Sequence, residues 1–352
     1  MQPVAVRILH PTGDPGSGEL EGSLVAARER NADRLARRFG KAGAGDVRID
    51  LGVPDGRTFG ERLRELAAGI APGAGLVVLG SGAIPLARRQ DLVDLLDAAG
   101  SGEPRALANS FYSADVVAVG AAAILASVPD LPSDNALPRW LRELAGYRVD
   151  DLHRRWRLAI DLDSPLDTIL VDRVTDVADG NVQLVRDRLT RIREVLGDPA
   201  AEVIVAGRTS AATLRWLEHR TASRTRAIVE ERGLRAIGLA TGGGTRNRRP
   251  PRSALGLLLD DRGPDHLGAI LAELGDAAAV DTRVLLAHRL GTDEASWPSA
   301  EDRFASDLLL PERIADPWLR ALAASARDAA IPILLGGHTL VGPGLRLVAG
   351  PR

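Results

Sequence analysis

A chain of 352 residues exceeds the usual length of about 100–200 for one domain, and 45% hydrophobic with 26% charged residues is the make-up of an ordinary globular protein, which excludes disordered and fibrous classes. There is no cysteine, which excludes disulfides, iron–sulfur clusters, thiolate zinc sites and cysteine nucleophiles, and Lys41 is the single lysine, so any lysine chemistry must use it. A net charge of −2 provides no basic field for nucleic acid.

The first half alternates short apolar runs with helical stretches, the pattern of a mostly parallel sheet covered by helices. Ala5 to Leu9 reads as a strand and Pro11 to Gly22 as a Gly/Pro loop. A helix follows over Ser23 to Phe39, with Leu24, Ala27, Asn31, Leu35 and Phe39 at helical spacing. Val47 to Leu51 is a second strand, Thr58 to Ile70 a helix, and Gly75 to Leu79 a third strand that turns sharply at Gly80-Ser81-Gly82. Arg89 to Ala99 is a helix, Asp115 to Val128 an apolar run, Leu137 to Ala145 a helix, and Arg157 to Asp163 a closing extended segment.

A charged helix near Asn181 to Leu196 marks the junction, and the boundary is placed near Val174, giving domains 1–174 and 175–352. Beyond it, strands are expected at Glu202 to Ala206, Ala227 to Glu230, Ala254 to Leu259, Arg283 to Ala287 and Ile331 to Leu335. Helices are expected at Ala211 to His219, Pro264 to Leu274, Ala300 to Leu309 and Pro317 to Ala329. Ser299 and Asp302 have the spacing of a helix cap, with Trp297 stapling the entrance.

The segment Ile160-Asp161-Leu162-Asp163-Ser164-Pro165-Leu166-Asp167 resembles the D-x-D-[ST]-P-x-D signature of the MobA-like nucleotidyltransferase family, which has the glycosyltransferase-A fold. Leu76 to Leu86 is similar to that family's central strand and Pro-Leu turn, and Ala108 to Asp115, which carries Asn109, to its segment on the sugar or acceptor side. The resemblance covers roughly residues 1 to 170 and implies that the first of two α/β/α domains with mostly parallel sheets is glycosyltransferase-A-like, while the repeated alternation of strands and helices in the second half reads as a second, Rossmann-like domain. The resemblance implies nucleotide binding near Ser81 and Asn109, with Asp161 and Asp163 holding Mg²⁺, since hard carboxylate oxygens suit that ion. The family's glycine-rich phosphate loop has no match after Leu9, its lysine is missing, and Ser81-Gly82 stands where it has a metal-binding Asp.

In an open parallel sheet, ligands lie outside the carboxyl ends of the strands. Gly207-Arg208-Thr209-Ser210 would there offer amides and hydroxyls to an anion at a helix N-terminus, or simply cap the helix. Asp260, Asp261, His288 and His338 would likewise fall at strand ends, either as ordinary polar termini or as a metal or acid–base centre in which Asp260, His288 and His338 are catalytic. Thr241 to Ser253, TGGGTRNRRPPRS, reads as a phosphate-closing lid or as a solvated loop.

Three functions remain open: a nucleotidyltransferase-like protein binding a nucleotide or phosphorylated small molecule, a catalytically inactive scaffold or sensor, and a metal-dependent hydrolase or transferase sited in the second domain. Whether the chain is an enzyme is left open with them. Neither nucleic acid nor membrane is an expected partner, a homodimer is one assembly open to it, and the expected location is the cytoplasm.

Overall fold

A computed structural model describes residues 2–13, 16–52, 55–71, 73–131, 133–172, 179–230 and 251–350. These divide into two compact units, one of residues 2–13 and 25–162, the other of 16–24, 163–230 and 251–350. The chain passes between units at Leu162 and Asp163; the expected boundary at Val174 lies outside the described residues.

The first unit contains β1 (Val4–Pro11), most of α1 (Glu19–Ala42), β2 (Asp46–Gly52), α2 (Phe59–Ala68), β3 (Gly75–Gly80), α3 (Arg89–Ala99), β4 (Arg105–Ala108), β5 (Val116–Val119), α4 (Leu137–Glu143) and β6 (Arg148–Asp151). Its sheet has the order β2-β1-β3-β5-β4-β6 and is mixed: β1 runs parallel to β2 and β3, β4 runs parallel to β6, and β5 is antiparallel to both its neighbours. Near-continuous apolar runs are what strands buried on both faces require. Val6, Ile8 and Val77 pack with Leu35 and Phe39 of α1 and Leu92 and Leu95 of α3. Ala5, Leu76 and Val78 pack with Leu63 of α2 and Leu137 and Trp140 of α4. Each such fully buried large side chain contributes about 1.5–3 kcal/mol.

At the edge, β2 alternates. Val47 and Ile49 join the α1 side, so Asp46, Arg48 and Asp50 face the other way with a period of two, beside α2. A capping box between Thr58 and Glu61 starts α2. Gly60 lets it pack against the backbone at Pro129 and Leu131, where a Cβ would collide. The segment expected to be extended over 157–163 is instead one tight helical turn at Trp156–Ala159 followed by a single bridge between Asp161 and Ala83.

The second unit contains α5 (Pro165–Asp172), α6 (Asp179–Gly197), β7 (Glu202–Gly207), α7 (Ala211–Arg220), β8 (Arg224–Val229), α8 (Ala254–Arg262), α9 (Leu267–Leu274), β9 (Ala277–Asp281), α10 (Thr282–Leu290), α11 (Ala300–Asp307), α12 (Pro317–Asp328), β10 (Ile333–Gly336), α13 (His338–Val341) and α14 (Leu345–Val348). Among the described residues its four strands are all parallel in the order β10-β9-β7-β8.

Two expected strands are helices. Ser253 accepts from the Gly256 amide and starts α8 where 254–259 reads as a strand, and Asp281 accepts from the Arg283 amide and starts α10 where 283–287 does. Short apolar runs fit a helix or a strand equally, and here the caps decide. The strand that does lie in this stretch, β9, is AAAVD, whose alanines are poor strand formers but fit a fully buried position between β7 and β10.

Candidate functional site

In the first unit, β1 and β3 are parallel neighbours, so their carboxyl ends emerge side by side. His10 Nδ1 lies 3.0 Å from Ser81 Oγ, both side chains buried, and burial holds the His10 imidazole below its ordinary pKa. Beyond Ser81 the chain turns through Ile84 at φ 45°, a left-handed conformation unfavourable for a β-branched residue. Four residues of α1, spaced along one helix face, hold this turn and the segment beside it. Asn31 Nδ2 donates to the carbonyls of Ser81 (2.7 Å) and Ala83 (3.1 Å). Arg34 donates to Pro85 (2.6 Å), Arg38 to Ala87 (2.7 Å) and Arg28 to Leu162 (2.7 Å).

The central-strand stretch and the acidic signature meet here. Asp161 lies against Gly82, where a Cβ would stand 2.7 Å from Asp161 Oδ1, and that oxygen accepts the Leu162 amide at 3.0 Å. Asp163 belongs to the second unit. The remainder of the D-x-D-S-P-x-D segment there starts α5: Ser164 Oγ accepts the Asp167 amide, and Asp167 Oδ2 accepts from Ser164 Oγ (2.9 Å) and from the Asp163 amide (3.1 Å). Ser164 thus caps the start of α5, and Asp167 holds the amide that precedes the cap. Among the described residues no three or more His, Asp or Glu side chains converge. Asn109 is fully engaged in tying β4 to β5, bonding Asp115, Val116 and the Leu158 carbonyl.

The same strand ends open onto a feature that sequence reasoning missed. A cavity of about 580 Å³ lies between the polar face of β1 and β2 and helix α2, lined by Arg7, His10, Arg48, Asp50, Arg57, Arg62 and Glu65, with Leu9 and Leu66 supplying apolar wall. Parallel register sets Arg7 beside Arg48 and Leu9 beside Asp50. Arg7 is 3% exposed and bonds Asp46 at 2.6 Å, which holds the Asp46 carboxyl below its usual range. Arg57 and Arg62 are anchored on Asp55. The available signal was a buried-strand arginine, Arg7, together with the polar alternation of β2.

In the second unit, β7 lies between β8 and β9, so the chain leaves β7 to one side and returns on the other, the reversal at which open sheets place ligands. At this point Arg208 forks onto Asp281 (2.6 and 3.1 Å), and Gly207, at φ 124°, brings the backbone in where a Cβ would collide with Asp281. Arg283 forks onto Asp307, with Nη2 to Oδ2 at 2.7 Å, and both Asp281 and Asp307 are buried. Burial opposes the Arg283 charge, but Asp307 more than compensates and its pKa is raised. Ser210 caps α7, while the buried Thr209 hydroxyl has no hydrogen-bond partner.

Asp260 and His288 do not lie at strand ends: they sit on α8 and α10. His288 Nε2 is 2.9 Å from Asp260 Oδ2, and its Nδ1 accepts the Ser253 backbone amide at 3.0 Å, which fixes the proton on Nε2. Its ring would meet any Cβ added at Gly256. His338 is the first residue of α13, after β10. Of the expected triad the structure therefore pairs Asp260 with His288. Asp302 accepts the amides of Ala315 and Asp316 and its own amide is capped by Ser299. Within 241–253, residues 241–250 lie outside the described residues; Arg252 comes within 3.9 Å of Asp260 and Ser253 caps α8.

No protein-family model matches the chain, and comparison with curated proteins finds no match. Among the described residues no helix is long and apolar enough to cross a membrane.

Proposed function

We propose that this is a nucleotidyltransferase-like protein whose first unit, of glycosyltransferase-A type, binds a nucleotide or phosphorylated small molecule in its arginine-lined cavity, and whose second unit is Rossmann-like. The observation that carries this reading is the cavity of about 580 Å³, whose wall gathers Arg7, Arg48, Arg57 and Arg62 with Asp50 and Glu65, the guanidinium groups being oriented by ion pairs to Asp46, Asp55 and Glu65. Its size is that of small-molecule sites, and guanidinium groups recognise phosphate bidentately without lysine. Support for the second unit's type is its parallel sheet with a strand-order reversal between β7 and β9.

Binding without transfer is the form of the reading that the α1 hydrogen bonds favour. Asn31 and Arg34 hold the turn that, by the resemblance, would carry a metal-binding acid, and no reaction step is assigned to Mg²⁺ at Asp161 or Asp163. Isothermal titration of the whole chain with a nucleotide panel and pyrophosphate, with and without Mg²⁺, tests it. Expected is saturable binding that weakens with salt and falls at least tenfold in Arg48→Glu and Arg57→Glu, whose side chains are 64% and 47% exposed and so tolerate replacement. Absence of heat with every phosphorylated compound would overturn it.

A further inference from the structure

The cavity contains one group that phosphate recognition does not explain. Asp50 Oδ2 is buried and accepts no hydrogen bond, and Arg7 Nε, at 3.9 Å, is beyond hydrogen-bond reach. Arg7 cannot readily turn to it, because its other nitrogens donate to the Val6 carbonyl and to Asp46. Burial pushes the Asp50 carboxyl above its ordinary range, against the pull of Arg7 and Arg48. The Asp50 side chain nevertheless lines the cavity and is 37% exposed, so its open face can take a hydrogen-bond donor from a ligand.

We propose that Asp50 makes the cavity selective for a phosphate ester bearing a hydroxyl donor, a sugar phosphate or a ribonucleotide, with the hydroxyl on Asp50 and the phosphate toward Arg57 and Arg62. The inference rests on the binding reading of this cavity and specifies its ligand. A carboxylate repels phosphate, so the anionic end settles away from Asp50. Arg62 marks where: its Nη1 lies 2.9 Å from the place a Cβ would take at Gly52, two strand residues or about 6.6 Å beyond Asp50. A sugar with a phosphate on its exocyclic carbon spans such a gap, and Leu9 and Leu66 offer its ring an apolar wall.

The test compares pyrophosphate, ribose 5-phosphate, a ribonucleoside monophosphate and its 2′,3′-dideoxy analogue on the wild-type chain and on Asp50→Ala and Asp50→Asn, with circular dichroism confirming the fold. The wild type is expected to prefer the ribonucleotide over the dideoxy analogue by about tenfold or more. Asp50→Ala should bring that ratio to about one while pyrophosphate binds equally or more tightly, its repulsion removed. Tighter binding of the ribonucleotide than of ribose 5-phosphate assigns the site to a nucleotide, and equal binding assigns it to a sugar phosphate. Pyrophosphate binding with no preference for hydroxyls in the wild type, or a preference that survives in both variants, overturns this inference and leaves the binding reading standing. Failure of all four compounds to bind removes the binding reading itself.

Discussion

Asp167 makes the second unit's stability depend on pH near neutrality. Its carboxyl is 3% exposed, and burial, with the Asp163 charge adding to it, raises its pKa from 3.8 to about 7 despite the hydrogen bond from Ser164. Because the folded value exceeds the unfolded one, folding favours the neutral acid. The stabilisation is complete below pH 4 and declines as the pH rises to about 7. Two pKa units of that interval lie above pH 5, so the loss between pH 5 and pH 8 is about 3 kcal/mol. Asp167→Asn keeps an acceptor for the Ser164 hydroxyl and the Asp163 amide but cannot ionise. Urea unfolding of both proteins from pH 5 to pH 8 isolates the effect, since titrating groups that do not interact with Asp167, such as Asp50 and His10, cancel in the difference. The wild type should lose about 3 kcal/mol relative to the variant over this range. Parallel profiles for the two proteins would refute the assignment of a protonated Asp167.

Asn31→Ala strips the donors from two carbonyls in the turn around Ile84 and should cost about 2–4 kcal/mol in urea unfolding, with faster amide exchange over residues 81–87. His288→Ala should cost about 2–4 kcal/mol, because it removes the acceptor for the Ser253 amide and the surface on which Gly256 packs. Asp260→Asn, with a half-exposed side chain, should cost less than about 1 kcal/mol. Equal losses in these last two would show the pair acting as a unit rather than His288 as a packed anchor for α8.

The first unit's early elements were legible because their signals are local. Arg89 to Ala99 is a helix over the same residues as read, and β1, β2 and β3 lie where apolar runs stand between turns. β4 and β6 escaped notice since RALA and RVDD are four residues long and show no alternation. The misplaced strands at 254–259 and 283–287 show the limit of an apolar run without its cap, because Ser253 and Asp281 lie just outside the run they govern. The site was less legible than the fold. His10 meets Ser81 across 71 positions and Arg208 meets Asp281 across 73, distances that only sheet register closes. Arg208, in a stretch expected to offer an anion site, has its anion inside the chain, and the arginine-lined cavity depends on which face of β2 the edge leaves uncovered.

The arginines also serve as fasteners for the ends of backbone segments. Arg320 spans the carbonyls of Ile314 and Ala315, Arg188 those of Arg327 and Ile331, and Arg64, Arg38 and Arg28 each hold the carbonyl of a distant segment. A planar fork can bridge two carbonyls at once, whereas an ammonium group is a single strongly hydrated point. Recoding these positions to lysine, however mild the change in charge, would therefore loosen loops throughout the chain. The converse is of practical use: Lys41, exposed at the end of α1, offers amine-directed labels a single lysine, on the first unit.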